Sequence, residues 1–455
     1  MALPDSFFRS PAIDAAFSDA ARLQGMLDFE AALARAEAAC DMIPVTAATA
    51  IAAKCREELF DFAALRKNAA NSGNLAIPVV QQLTALVAKD DSQAAGFVHW
   101  GATSQDAIDT GCVLQLRPAL AAMQRELRQL CELLATLADK HRATLIVGRT
   151  WLQHAAPTTF GAKVAGWLDA LVRHNGRLQE VRERSLVLQL GGAVGTLAAL
   201  GGHGENVAAA LAKELALTLP DIPWHSHRDR FTDVAACLGL LTGTLGKIAR
   251  DISLHMQTEI GELSEPGGSG RGGSSSMPHK RNPVSCAAIL AAAARVPGLV
   301  STMLASMVQE DERGLGGWQA EWETLPEIVV LSAEALHQLH TAISGLEVHP
   351  ARMKENLEAT HGLIFAEAIT VRLAERVGKT EARAAIEAAC QLAAKNNEHL
   401  RDVLLTTPEV LKHLPERTIR DLFDAGKYLG ASRSMIDKVL RTARSHAEQS
   451  KGKSE

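Results

Sequence analysis

A glycine- and serine-rich stretch carries the residue types best suited to chemistry. After the glycines of 265–273 come three serines starting at Ser274, then Met-Pro-His, and then Lys280 and Asn282 two residues apart. These residues bring hydroxyl, ammonium, amide and loop N–H groups together just before a helix that begins at a proline. Such a set of donors suits a carboxylate whose negative charge grows during reaction. A surface linker is the alternative, but Met-Pro followed by two cations and Asn-Pro is too particular for one. The glycines cannot hold a helix, so 265–273 is predicted to be a mobile segment at the start of a longer loop, 265–283.

Two earlier stretches combine hydroxyl, amide and cationic groups that could bind an anionic substrate. Their members are His99, Thr103 and Ser104 in the first stretch, and Arg149, Thr150, Trp151 and Gln153 in the second. The first stretch alone is ambiguous, because Thr-Ser-x-Asp is also a common N-cap of a helix. His154, next to the second stretch, could contact substrate or could be a polar group with an ordinary partner.

The segment from Gln309 to Glu323 adds one more candidate cation. Arg313 could bind a substrate carboxylate, and the alternative is a surface ion pair. Trp318 and Trp322 lie four residues apart and therefore share one face of a helix, where packing in the core is their expected role.

Three other patterns suggest sites that the surrounding sequence does not support. Residues 268–273 fit GxGxxG, but neither a strand nor a βαβ unit surrounds them. The glycine-rich run 191–196 lacks the lysine of a phosphate-binding loop. His225 and His227 have no further ligands at a suitable spacing, so ordinary surface or pocket histidines are expected there rather than a metal site.

The elements that position these residues are predicted to be long helices. Apolar residues from Leu116 to Leu137 step by four and three in alternation, a 3.5-residue repeat typical of a helix packed nearly parallel to others. The chain has one Tyr and 4% aromatic residues, which favours helices over strands. We therefore predict an all-α fold in three parts: an N-terminal domain at 1–110, a central long-helix bundle at 111–350 and a C-terminal domain at 351–455.

Composition argues against several kinds of partner. The formal net charge is −5 and there is no long basic run, so nucleic acid is not expected. The most apolar stretch, 284–307, is interrupted by Arg295 and Pro297 and is predicted to be a buried pair of helices rather than a membrane span. The N-terminus lacks the pattern of a secretory signal. The seven scattered cysteines form no CxxC motif and are expected to be reduced, so the expected location is the cytoplasm.

Residues 273–283 resemble the signature of the fumarase/aspartase superfamily, Gly-Ser-Ser-x-Met-Pro-x-Lys-x-Asn-Pro, at every fixed position. The two earlier stretches resemble its first and second conserved regions, and the likeness extends from Arg9 to the segment 427–430. The resemblance implies that Ser274 exchanges a proton at the carbon α to a substrate carboxylate, which Lys280 and Asn282 hold as its aci form. It also implies a homotetramer with a twenty-helix core, active sites shared between subunits, and no metal or organic cofactor.

Two positions depart from that pattern. Lyases of the superfamily that expel an amine or water carry a histidine where this chain has Trp151, and a carboxylate partner where it has Ala287. A leaving amine or hydroxide needs a proton from a general acid, whereas a carboxylate with a pKa near about 4 does not. The pattern resembles the superfamily's lactone-forming subgroup, which implies an intramolecular lyase acting on a small tricarboxylate. The alternatives are an adenylosuccinate-type lyase and a non-catalytic relative such as a lens crystallin.

Overall fold

A computed structural model describes residues 11–268, 271–274 and 276–451 of the chain. These residues form eighteen α-helices and two small antiparallel sheets of two strands each. The predicted all-α fold class is therefore confirmed. Arg9, which takes part in the family resemblance, lies outside the described residues.

The helices and strands have the following bounds. The helices are α1 Pro11–Ala16, α2 Asp19–Ala39, α3 Val45–Lys54, α4 Phe62–Ser72, α5 Ala76–Ala88, α6 Ser104–Lys140, α7 Phe160–Ser185, α8 Gly204–Leu215, α9 Asp229–His255, α10 Val284–Ala305, α11 Gly317–Ser344, α12 Pro350–Glu358, α13 Ala366–Val377, α14 Lys379–Asn396, α15 Leu400–Leu404, α16 Pro408–Leu411, α17 Glu416–Leu422 and α18 Ser432–Lys451. The strands are β1 Leu145–Thr150, β2 Gln153–Thr159, β3 Leu263–Ser264 and β4 Glu347–Val348.

The leucine repeat lies on α6, the longest of these helices. The helix starts at Ser104 and continues through Pro118. The repeat positions from Leu116 to Leu134 are all buried, but Leu137 is only half-buried and Ala138 takes the buried place. An α-helix has 3.6 residues per turn, so a strict 3.5-residue repeat drifts off the buried face.

The chain forms two compact units. The first comprises residues 1–126, 174–246 and 288–337, and the second comprises 127–173, 247–287 and 338–455. The boundaries fall inside the long helices. They therefore do not test the predicted domain ends near residues 110 and 350, which stay a prediction.

Small residues bring helices together in the first unit. A Cβ atom added to Gly246 of α9 would lie 2.7 Å from the Cβ atom of Ala293 on α10. The Thr242 hydroxyl of α9 donates to the Ser332 hydroxyl of α11 at 2.8 Å. Close backbone approach and a buried hydroxyl pair thus fix how α9 packs against α10 and α11.

The second unit has a core built from its C-terminal helices. Apolar residues of α12 to α17 pack into one cluster that also includes Val147 of β1. Strands β1 and β2 form a hairpin with a register irregularity between Val147 and Arg149. The hairpin that carries the second predicted binding stretch is therefore anchored at its base by a well-packed core.

The predicted buried helix pair at 284–307 is wrong. A single helix, α10, runs through Pro297, and 33% of its most apolar window is buried. Proline removes one backbone hydrogen bond, but Ile289, Val296 and Met303 share a buried face of the helix, and this burial sustains it. By length and composition alone, α9 and α10 could each span a membrane, which is weak evidence because buried core helices have the same properties.

Candidate active site

Ser274 has a specific environment in the signature loop. Its Oγ accepts a hydrogen bond from the Met277 N–H at 3.1 Å and from the Ser276 N–H at 3.3 Å. The Asn282 N–H donates to Gly272 O at 2.8 Å, and its side-chain amide donates to Gly273 O at 3.3 Å. Two backbone donors aimed at one hydroxyl oxygen stabilise negative charge on that oxygen. Asn282 holds the glycine segment beside the serine.

The two cations of the signature have different surroundings. Arg281 makes a two-point ion pair with Glu347 of β4, at 3.0 and 2.8 Å, and also donates to Glu265 O at 2.7 Å. Lys280 is exposed and forms no ion pair with any described residue. Arg281 therefore anchors the loop, and Lys280 remains available for a substrate anion.

The N-terminus of α10 is already occupied. The Glu265 carboxylate, 3% exposed, accepts the N–H groups of Ser285 at 3.0 Å and of Cys286 at 2.8 Å. A carboxylate at this end of a helix satisfies backbone donors that have no partner within the helix. A substrate carboxylate would therefore use the N–H groups of the loop rather than those of Ser285 and Cys286.

Trp151 and Leu152 form the tip of the β1–β2 hairpin. Thr150 pairs with Gln153, so the connection has two residues, and both have positive φ, 51° for Trp151 and 65° for Leu152. Such a turn normally needs Asn and Gly, and it strains bulky side chains. Trp151 is 96% exposed and Leu152 is 73% exposed. The strained backbone and the exposed indole both cost stability. Backbone strain of this kind tends to be kept at functional sites.

Arg149 is held by a buried carboxylate. It makes a two-point ion pair with Glu262, both bonds at 2.9 Å, and Glu262 also accepts hydrogen bonds from His255 at 2.5 Å and Asn356 at 2.8 Å. Burial raises the pKa of Glu262, but these donors outweigh it and lower the pKa to about 2. Nη1 and Nη2 of Arg149 are thus engaged within the chain. Its predicted contact with substrate stays a prediction.

Replacing Glu262 with Gln is expected to destabilise the protein by about 3 kcal/mol at pH 7. The pKa of Glu262 is lower in the folded chain than its ordinary value of 4.5, so its contribution is present above about pH 4.5 and lost as the pH falls toward 2. Urea denaturation at pH 7 and at pH 3 checks this. Glu259→Gln, at an exposed carboxylate three residues earlier, is the control, and equal midpoints for the two variants at pH 7 would contradict the expectation.

His154 could contact substrate or could be a polar group with an ordinary partner, and both readings stay predictions. Its Nδ1 is buried and has no hydrogen-bond partner among the described residues. Burial and the Arg149 charge lower its pKa, so the ring is neutral at pH 7.

The first predicted stretch is organised around Asp106. The Thr103 N–H donates to Asp106 Oδ2 at 2.9 Å, which closes the start of α6 as a capping carboxylate does. The Gly191 and Gly192 N–H groups each donate to the same carboxylate at 3.0 Å, and His225 Nε2 lies 2.6 Å from Oδ1. Asp106 thus joins the stretch with Thr103 and Ser104 to the glycine-rich run 191–196. His225 is a buried partner of Asp106, and within the described part of the chain no group of three or more potential metal ligands occurs.

Arg313 lies beside the same stretch. It donates to Gln105 Oε1 at 2.8 Å, to Ala193 O at 2.7 Å and to Gly192 O at 3.3 Å. These acceptors are neutral, and no carboxylate of the described residues pairs with its guanidinium. The alternative of a surface ion pair is therefore wrong, and binding of a substrate carboxylate stays a prediction.

A fully buried ion network lies next to these residues, and sequence reasoning missed it. Arg228 makes two-point ion pairs with Asp109 of α6, at 2.7 and 3.0 Å, and with Glu321 of α11, closest at 2.6 Å. Trp318 Nε1 also donates to Asp109 at 3.1 Å, and Trp318 packs edge-on against Trp322, as expected for core residues. Burial alone would lower the pKa of Arg228, but the two carboxylates outweigh it and raise the pKa. Nothing in the local sequence signals that these three charges meet.

Comparison with known families identifies the class of protein. A family model described as lyase matches residues 8–298, and a second, described as adenylosuccinate lyase C-terminus, matches residues 362–439. The chain therefore belongs to this lyase family, within the fumarase/aspartase superfamily, and the family predicted from the signature is confirmed.

Particular relatives are similar over nearly the whole chain. The 3-carboxy-cis,cis-muconate cycloisomerase of Pseudomonas aeruginosa is 54% identical over 436 residues, which cover 96% of this chain and 95% of that protein. The enzyme of the same name from Bradyrhizobium diazoefficiens is 52% identical, covering 95% and 96%. The crystal structure of the 3-carboxy-cis,cis-muconate lactonizing enzyme from Pseudomonas putida superposes with a TM-score of 0.93 at 50% identity, covering 98% of this chain and 99% of that one.

Proposed function

We propose that the protein is an intramolecular lyase that converts 3-carboxy-cis,cis-muconate to 4-carboxymuconolactone, a step of the protocatechuate branch of the β-ketoadipate pathway. The observation that carries the proposal is a complete set of Ser274, Lys280 and Asn282 combined with Trp151 and Ala287, where amine- and water-releasing relatives have a His and a carboxylate. The names of the relatives that are 52–54% identical support the same reaction.

The proposed reaction forms one C–O bond and one C–H bond. The distal carboxylate of the substrate adds to the carbon bearing the 3-carboxyl group, and the π electrons move toward the far carboxylate. The resulting aci-carboxylate is stabilised by the Lys280 ammonium, the Asn282 amide and loop N–H groups. Ser274 then protonates the carbon next to that carboxylate and takes a proton back from water, which leaves the lactone.

The hydrogen bonds to Ser274 support this role. When the hydroxyl gives up its proton, the oxygen becomes negatively charged. The N–H groups of Ser276 and Met277 already point at this oxygen, so they stabilise the charge without rearrangement of the loop. The nucleophile is a carboxylate that is ionised at pH 7, and so the reaction requires no general base at position 151.

A homotetramer with shared active sites follows from the same proposal. Trp151 cannot fill the space of the missing histidine within its own chain, because its indole is 96% exposed. The apolar helix α10 is also mostly uncovered, and Leu304 on it is 54% exposed. Both features fit burial against other copies of the chain. In that assembly Thr103–Ser104, Thr150–Gln153 and Ser274–Asn282 come from different subunits of a cytoplasmic enzyme.

An adenylosuccinate-type lyase is the second candidate, since residues 362–439 match the C-terminal part of that family. That reaction expels an amine and needs a general acid. His154 is the nearest candidate to the missing histidine, but burial and Arg149 lower its pKa, which makes it a poor proton donor at pH 7. The third candidate is a non-catalytic relative. Such a protein would not need Ser274, Lys280 and Asn282, so the presence of all three argues against it.

The expected result of an assay in metal-free buffer is rapid loss of the conjugated-diene absorbance of 3-carboxy-cis,cis-muconate. Adenylosuccinate and fumarate, run in parallel, are expected to stay unchanged. Turnover of adenylosuccinate instead would show that another residue supplies the acid and would overturn the inference from Trp151. No turnover of any substrate would favour the non-catalytic relative.

A further inference from the structure

Two buried carboxylates on α2 are unusual in having almost no partners. Glu30 is 2% exposed and Glu37 is 0% exposed. Of their four oxygens only Glu30 Oε1 has a partner among the described residues, namely His99 Nδ1 at 2.6 Å. Buried polar groups without partners are costly, and most buried groups in proteins avoid that cost. The arrangement therefore needs a reason beyond packing.

Glu37 is the carboxylate of the two that burial keeps neutral near pH 7. Burial, and then the charge of Glu30, raise the pKa of Glu37 to about 9. Two carboxylates buried near each other rarely ionise together. Glu37 is thus a neutral acid near pH 7, and Glu30 is the carboxylate that contacts His99.

His99 is held in one tautomer at the start of the first predicted stretch. An ionised carboxylate only accepts hydrogen bonds, so the contact with Glu30 places a proton on Nδ1. The backbone of His99 is left-handed, with a φ of 60°, a conformation that histidine adopts more often than most residues other than glycine. The side chain is 15% exposed, so the ring is largely buried but not sealed from the site.

The groups around the His99 ring favour its charged form. Burial by itself lowers the pKa of His99, but the Glu30 carboxylate and then the Asp106 carboxylate outweigh it and raise the pKa. Asp106 accepts from three backbone N–H groups and His225, whereas Glu30 has no second partner among the described residues. Cys55 is a further titratable group near Glu30, and burial, and then Glu30, raise the pKa of its thiol, so it is neutral.

We propose that Glu30 is a positioning residue that keeps the His99 imidazole in its cationic form, with the Nε2–H available for one carboxylate of the substrate. The inference rests on the proposed function, since a substrate with three carboxylates needs several cations. Lys280 supplies one in the signature loop. His99 supplies another beside Thr103 and Ser104, in the stretch that Arg313 contacts through Gln105.

The test is Glu30→Gln in the full-length enzyme. The glutamine amide is neutral and cannot stabilise the imidazolium, so KM for 3-carboxy-cis,cis-muconate is expected to rise about tenfold at pH 8. The kcat is expected to change less than about threefold, because binding of the ground state and of the transition state is weakened equally. Protonation of the imidazole is more favourable at pH 6, so the KM of the variant is expected to lie closer to the wild-type value there than at pH 8. NMR titration of the His99 ring in the free protein should show its pKa lowered by about one unit or more, equivalent to the tenfold effect.

Glu37→Gln is the matched control, since it makes the same substitution two turns away on α2 at a group that is already neutral. It is expected to leave both the KM profile and the His99 titration unchanged. Equal effects of the two variants, or a rise in KM for Glu30→Gln that is the same at pH 6 and pH 8, would mean a structural role only and overturn the inference. If the wild-type enzyme leaves the muconate unchanged, the proposed function fails, and the NMR titration alone decides whether Glu30 holds His99 charged.

Discussion

The Ser274→Ala variant is expected to lose about 10³-fold in kcat, because a positioned proton donor or acceptor contributes typically 10²–10⁴-fold. The Ser274 hydroxyl oxygen accepts two N–H groups of its own loop, so its removal leaves two partly exposed backbone donors that water can satisfy. The thermal midpoint should therefore change little. Steady-state kinetics on the diene substrate, with the midpoint measured in parallel, checks both expectations.

Ser276→Ala is the matched control for this prediction. Ser276 lies two residues further along the same loop and is exposed, and only its backbone N–H contacts Ser274. The alanine variant keeps that N–H and is expected to retain kcat within about threefold, as for surface substitutions away from special features. If Ser274→Ala also keeps most of its activity, serine has no part in proton transfer and the proposed mechanism is wrong.

The features that could be predicted from sequence are those encoded by neighbouring residues. The repeat from Leu116 to Leu134 predicts the buried face of α6, because residues three and four apart share one side of a helix. The glycines before Ser274 predict the loop, because glycine disfavours a helix. The pairing of Trp318 with Trp322 is of the same kind.

The contacts that could not be predicted join residues far apart in the chain. Asp109 and Glu321 both pair with Arg228 across 119 and 93 residues, and no periodic pattern specifies which charges meet. Glu265 as the cap of α10 was missed because the capping residue lies nineteen positions before the helix begins. The turn at Trp151 was missed because its residues are poor turn formers, and the fold imposes a backbone that local preference disfavours.

The Arg228→Met variant is expected to lose about 3–5 kcal/mol of unfolding free energy, because removal of one partner leaves buried charge without compensation. Asp109 and Glu321 are 2% and 3% exposed in their side chains and would face each other as like charges. The indole of Trp224 and the ring of Phe231 would also lose a cation 5.0 and 5.1 Å away. Urea denaturation of both proteins at one protein concentration measures the difference, since dissociation of an oligomer makes the midpoint depend on concentration.

Arg230→Met is the matched control, two residues later in the first turn of α9, where the guanidinium donates to the carbonyl of Arg184 at the surface. It is expected to cost less than about 1 kcal/mol. Glu321→Gln should fall between the two, because burial already raises the pKa of Glu321 and the remaining Arg228–Asp109 pair is neutral. If Arg228→Met costs no more than Arg230→Met, the network does not stabilise the fold.

The expected order matters for the site as well, because Asp109 lies one helical turn after Gln105 and Asp106. A loosened network should therefore also raise KM, because Gln105 donates to Asp109.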